Sequence, residues 1–213
     1  FFGSSSGWEN KVEMGKGRSA GIEFMAQKTA GKTTGWLSYT LSKSDRKFTK
    51  GGINNGEWFP YKYDRRHSIN LTINHKFSDR IDIGASWVFY TGGTSTIPEE
   101  KTTVIRPHNG ANNGFLWYGT YDNTNSSPTI GDVSYIEHRN NFRLPASHRL
   151  NLGVNFNKKT KHGMRTWNIS LYNAYNAMNP AWVYRGHNKQ GLSVIKKYTL
   201  LPLIPSFTYT YKF

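Results

Sequence analysis

Groups that could do covalent or metal chemistry are present in this chain, but they are scattered. It has no cysteine, which removes a thiolate nucleophile, a disulfide framework and every cysteine-based zinc site. The 7 histidines, at 67, 75, 108, 138, 148, 162 and 187, show neither HExxH nor paired i, i+2 spacing, so no metal centre is expected. Residues 3–7 read GSSSG, the bare spacing of a nucleophile elbow. That device needs a strand, a strained turn and a helix around the serine. The flanking residues supply none of these, and a flexible outer loop is expected instead. Asp122, Asn123 and Asn125 offer oxygen ligands without the glycine and terminal glutamate of a calcium loop. Glu99 and Glu100 are adjacent and point apart in an extended chain, which is poor geometry for an acid and a base on one bond. The expectation is a protein that is not an enzyme and uses no cofactor.

Residues suited to holding a ligand gather in two stretches. Residues 48–64 carry Trp58, Phe59, Tyr61 and Tyr63 beside Lys62, Arg65 and Arg66. Residues 94–145 carry Trp117, Tyr118, Tyr121 and Tyr135 among glycines and asparagines. Aromatic faces with polar edges suit sugars, peptides and aromatic siderophores equally. Trp58, Tyr61, Tyr63, Arg65, Arg66, Trp117, Tyr118 and Tyr121 are therefore the candidate binding residues. The competing expectation is that these loops cover an opening by packing on one another.

The elements that must position them follow from patterning. The 213 residues are 36% apolar and 15% aromatic, with 28 Lys plus Arg against 13 Asp plus Glu and a net charge of +15. This is too aromatic for a disordered tail. No segment approaches the roughly 20 apolar residues of a spanning helix. The first residues, FFGSSSGWEN, lack a Met and a signal sequence, so a mature product or a piece of something longer is expected. Apolar residues recur with period 2, as half-buried strands require. Ile69, Leu71, Ile73 and Phe77 share one face, opposite Ser68, Asn70, Thr72, Asn74 and Lys76. Ile81, Ile83, Ala85, Trp87 and Phe89 form a second such row, and Leu150, Leu152, Val154 and Phe156 a third. Weaker rows lie at 20–29, 36–44 and 167–176, and a last one runs from Leu201 and Leu203 to Phe213. Seven strands are predicted.

Connections alternate between short (30–33, 78–80, 158–164) and long (48–64, 94–145, 177–191). Short turns at one end and long excursions at the other are the habit of a transmembrane barrel rather than a soluble sandwich. The predicted strands are about as long as the 9 to 11 tilted residues that cross a bilayer. Their polar faces suit a wet lumen and cannot form a dry core. Aromatic residues sit near strand ends, at Phe77, Trp87, Phe89, Tyr90, Trp167, Tyr175, Tyr209, Tyr211 and Phe213, as in interfacial girdles. The predicted fold is all-β, a transmembrane antiparallel β-barrel. Seven strands are odd, so this chain is expected to supply the last part of a larger barrel: 1–17 an outer loop segment, 18–213 the barrel portion, with the C-terminus periplasmic.

The ending LLPLIPSFTYTYKF, with its final Phe213, resembles the last strand of TonB-dependent outer-membrane transporters. YNAYNAMNP (Tyr172 onward) is similar to that family's Asn-Pro segment on the penultimate strand, and WFPYKYDRRHSINL (Trp58 onward) to a barrel segment in which a loop re-enters the membrane. The resemblance implies about the last seven strands of a 22-stranded barrel in the outer membrane of a Gram-negative bacterium. It also implies active uptake of a nutrient (siderophore, cobalamin, glycan or peptide) and an assembly signal at Phe213. Its implied partners are the missing N-terminal part of the barrel with its plug, the TonB complex acting on that plug and, in some members, a surface lipoprotein. The basic charge would face outer-membrane lipid, lipopolysaccharide phosphates and the plug; spread over strand ends and turns, it forms no stripe for nucleic acid. The rival expectations are a passive porin-like barrel and a soluble secreted lectin-like β protein.

Overall fold

A computed structural model describes residues 13–48, 53–106 and 129–213, with side chains described outside 100–106 and 129–134. In chain order the strands are β1 (Gly15–Lys28), β2 (Thr33–Phe48), β3 (Phe59–Pro60), β4 (His67–Lys76), β5 (Ile81–Tyr90), β6 (Thr94–Ser95), β7 (Glu100–Arg106) and β8 (Thr129–Tyr135). They continue as β9 (Phe142–Arg143), β10 (Ser147–Thr160), β11 (Gly163–Tyr172), β12 (Pro180–His187), β13 (Ser193–Thr199) and β14 (Ile204–Lys212). The protein is all-β and its strand pairs are antiparallel. Seven long strands form one meander in the order β1-β2-β4-β5-β10-β11-β14, with β3 added to β2. These are the seven predicted strands. The sheet is not closed: β1 and β14 are its edges.

Register carries the alternation across the whole sheet. One face has rungs Phe24–Tyr39–Ile69–Phe89–His148 and Ala26–Leu37–Leu71–Trp87–Leu150. The same face continues with Ile73–Ala85–Leu152–Leu171–Pro205 and Ile81–Phe156–Trp167–Tyr209. The other face has Met25–Ser38–Asn70–Val88–Arg149 and Lys76–Asp82–Asn155–Asn168–Thr208. There the polar groups satisfy one another. Asn155 and Asn157 each donate to Asp82 at 2.7 Å, Asn168 donates to Asn155 at 2.6 Å, and Thr166 donates to Asn157 at 2.8 Å.

Nothing among the described residues covers the apolar face. Ile22 is 72% exposed, Phe207 64% and Ile169 49%, and among the described residues Phe59 is the one hydrophobic side chain that is buried. Burial concentrates elsewhere. Asp45, Asn54, Asp64, Thr94, Ser147 and Asn173 are the buried polar residues of the described segments, all at the end of the sheet that bears the long connections. At the opposite end the turns are brief and locally satisfied. Gly31 takes φ +93° between β1 and β2, and Ser78 Oγ accepts from the Arg80 and Ile81 amides at 3.2 Å between β4 and β5.

Several boundaries differ from the prediction. Strand β1 starts at Gly15, before the expected Arg18. β11 ends at Tyr172 instead of continuing to Asn176, because Asn173 and Asn176 adopt left-handed conformations at φ +54° and +53°, which Asn tolerates better than most residues. Leu201 and Leu203 do not belong to the last strand. Leu201 sits at φ +58°, and the Leu203 amide donates to Asn176 Oδ1 at 3.0 Å, so β14 begins only at Ile204. The long connections also hold unpredicted hairpins, β7–β8 and β12–β13.

Candidate functional site

The loop end of the sheet is built around Asp64. Strand β2 runs past its last rung with β4, Leu41–His67, and the segment from Phe59 to Arg66 folds back along this extension. The fold-back is held by Ser42 N donating to Arg66 O (3.0 Å) and Tyr61 N donating to Ser44 O (2.9 Å). A second layer comes from β6, where Thr94 N donates to Lys62 O at 3.1 Å and Thr94 Oγ1 to Tyr61 O at 2.9 Å. A third comes from β9, paired with β6.

One carboxylate ties β2, the fold-back and β9 together. Asp64 accepts from Ser44 N at 2.7 Å, from Arg66 Nε at 3.1 Å and from Arg143 Nη2 at 2.6 Å. Arg143 Nη1 donates to the carbonyls of Asp64 and Gly92, each at 2.9 Å. Burial pushes the Asp64 carboxyl up. The Arg143 hydrogen bond, the Ser44 amide and the charges of Arg66 and Arg143 outweigh it and hold the group below its ordinary 3.8. Gly92 is required because a Cβ there would lie 2.0 Å from Leu144 O. Around this hub, Asn54 exchanges hydrogen bonds with the Arg139 backbone at 2.7 and 3.3 Å, and Asn140 Nδ2 donates to Pro60 O at 2.7 Å.

Of the candidate aromatics of this region Tyr61 and Tyr63 are brought together, and each ring stands beside a cation or another ring. Arg18 lies 4.3 Å over Trp58 and Arg46 4.1 Å over Tyr61, while Arg65 lies 4.0 Å over Tyr90. Tyr63 stands edge-on to Tyr61 at 5.4 Å and is 66% exposed, and Trp58 is 38% exposed. Arg66 serves the hub. Trp58 and Tyr63 thus present ring surface to solvent, while Tyr61, Arg65 and Arg66 are engaged in holding the loop. Trp117, Tyr118 and Tyr121 lie outside the described residues, as do residues 3–7 and Asp122, Asn123 and Asn125. Phe213 is fully exposed, 6.4 Å from Tyr211.

A second buried junction lies beyond β11. Asn173 N donates to Asn151 Oδ1 (3.1 Å), its Nδ2 donates to the carbonyls of Ala177 (3.0 Å) and Leu201 (3.1 Å), and its Oδ1 accepts from Ala177 N (2.8 Å). Asn179 exchanges hydrogen bonds with the His148 backbone at 2.9 and 2.8 Å. The asparagines of YNAYNAMNP therefore staple the loop exit to β10 and to the approach of β14.

Sequence reasoning singles out Arg66 but misses the roles of Asp64, Arg143 and Asn54. Asp64 stands within WFPYKYDRRHSINL, whereas Arg143 lies 79 positions away with no local signal. Among the described residues no three His, Asp or Glu groups converge on a metal position, and no helix is long and apolar enough to cross a membrane. No protein-family model, curated protein or solved structure matches this chain.

Proposed function

We propose that this chain is the C-terminal barrel portion of a TonB-dependent outer-membrane transporter, with its seven-stranded sheet forming part of the wall. The observation that carries the membrane reading is an uncovered apolar face, continuous across seven strands in register, backed by a hydrogen-bonded polar face. In water such a face would be costly at about 25 cal/mol per Å² left exposed; acyl chains remove that cost. Rings lie toward both ends of the strands, with mainly aliphatic rungs between. His148 and Phe156 are eight residues apart on β10, about 27 Å along the strand at ~3.4 Å per residue, which at a tilt of roughly 35–45° is about 20 Å of the ~25 Å apolar band of such barrels.

Two free sheet edges cannot stand in lipid, so the wall needs further strands beside β1 and β14. The step from barrel to active transporter rests on the resemblance of three segments: Trp58 to Leu71, Tyr172 to Pro180 and Leu200 to Phe213. In this reading the Asp64 hub fixes the outer loops, Trp58 and Tyr63 offer ring surface to cargo, and Phe213 serves assembly from the periplasmic side.

The membrane reading is tested by reconstituting the protein in lipid with brominated acyl chains. Emission from Trp87 and Trp167 should be quenched; emission unchanged from that in unbrominated lipid would sink it. Active transport is tested by the sequence that precedes Phe1 in the gene, where a plug domain with a TonB box is expected and its absence would favour a passive pore.

A further inference from the structure

One side of the β1–β2 ladder changes character abruptly toward the loop end. Register sets Phe24 opposite Tyr39 and Ile22 opposite Leu41 on the apolar face, and Ile22, Phe24 and Leu41 are all exposed. The next three rungs on that same face are Ala20–Lys43, Arg18–Asp45 and Lys16–Lys47, about 7 Å apart. Four cations and one carboxylate follow directly on the last aliphatic rung.

Asp45 orients two of the cations without using them up. It is buried, and its Oδ2 accepts from Arg18 Nε at 3.0 Å and lies 3.0 Å from Arg18 Nη2 and 3.5 Å from Lys43 Nζ. The Trp58 ring backs the Arg18 guanidinium at 4.3 Å, and both Arg18 and Lys43 remain about half exposed. Lys16 and Lys47 have no such carboxylate. They stand directly opposite each other on one face, and neither makes an ion pair or a side-chain hydrogen bond among the described residues. Like charges directly opposed destabilise a strand pair. An anion between them turns that repulsion into attraction.

The adjoining apolar rungs narrow what the anion belongs to. An acidic peptide or a nucleic acid would meet the cations and leave Ile22, Phe24 and Leu41 bare. An amphiphile satisfies both regions, with its head group among the ammonium and guanidinium groups and its chains over the aliphatic rungs. A phosphate monoester carries about −1.5 to −2 charge, closer to the excess of cations here than the single charge of a diester. We propose that this patch is a binding site for a lipid with a phosphate monoester head group, held by Lys16, Arg18, Lys43 and Lys47 with its acyl chains running over Ile22, Phe24 and Leu41. The inference rests on the membrane reading of the sheet and adds a head-group preference at one place on it.

The test takes the full chain in detergent micelles, adds phosphatidate or phosphatidylcholine of the same acyl chains, and counts retained lipid by native mass spectrometry. One phosphatidate is expected to be retained at about a tenfold lower lipid concentration than phosphatidylcholine. Lys16→Met combined with Lys47→Met, which keeps both stems, should erase the preference without lowering stability, because it removes an opposed pair of like charges. Lys158→Met, on the same face at the turn end, should change nothing. Circular dichroism shows whether the double variant keeps its sheet; if it does not, Lys43→Met, expected to weaken the preference severalfold, decides instead. Equal retention of the two lipids, an unaltered preference in the variants, or full displacement of phosphatidate by equimolar inorganic phosphate would each overturn the site. Quenching of Trp87 and Trp167 by brominated phosphatidylcholine separates the two ideas: quenching without a phosphatidate preference removes this site alone, and no quenching removes the membrane reading and this site with it.

Discussion

Asp64 shows how much of the loop architecture hangs on one carboxylate. Asp64→Asn keeps the shape but leaves Arg66 and Arg143 facing a neutral group, at a cost of about 2 kcal/mol for hydrogen bonds between a buried charge and two partly exposed arginines. Exchange of the Ser44 and Thr94 amides should accelerate, while Asn70 and Ser86 in the sheet stay protected. The pH dependence has a fixed sign. A carboxyl lowered in the folded state lends its full stability above the unfolded value of 3.8 and loses it as pH falls from there toward the lower folded pKa. Loop proteolysis should therefore be flat from pH 7 to about 5 and rise only below about pH 4. Asn173→Ala removes side-chain bonds to two carbonyls and an amide in a buried position, and a loss of about 2–3 kcal/mol in denaturant unfolding is expected. The spacing of asparagines was legible in the sequence. That Asn173 reaches Leu201 was not, because contacts 28 positions apart leave no local trace.

The long strands were readable because each shows one uniform apolar side, so a single period fixed both their existence and their facing. Hairpin β12–β13 hid for the converse reason. Both its faces mix apolar and cationic residues, Trp182 with Lys196 and Val183 with Lys197, which blurs the alternation. The start of β14 escaped the pattern because Leu201 and Leu203 keep the period although the backbone at Leu201 turns left-handed. Pairing between elements also has a steric condition invisible to periodicity. At Gly35 a Cβ would lie 2.2 Å from Thr72 O, so β2 and β4 approach at that rung only because the side chain is missing. Gly35→Val should part the strands there, read as lost protection at Ile73 and Leu37 and a lower yield of folded protein. Gly31→Val lies at a left-handed turn with open space around it. It should cost about 1–2 kcal/mol of backbone strain without disturbing the pairing.

At the scale of the molecule, the two sides of the sheet should answer differently to the same charge. On the proposed membrane reading, Leu152→Arg near the middle of β10 should destabilise the reconstituted protein by about 2–4 kcal/mol, and Ser170→Arg on the opposite face by about 1 or less. Denaturant unfolding in vesicles measures both; equal penalties would contradict the assigned sides.

The bare flanks of the sheet bear on how this polypeptide behaves in water. Along β1 and β14 a row of amide and carbonyl groups waits for a neighbour, and the strand beside each is greasy on one side. Set free in aqueous buffer, many copies would satisfy those rows by joining flank to flank, and the growing ribbons would hide their oily surfaces by lying face to face. Fibrillar precipitate is the expected fate of the chain in plain buffer, with clear solutions only where a surfactant or lipid arrives before the copies find each other.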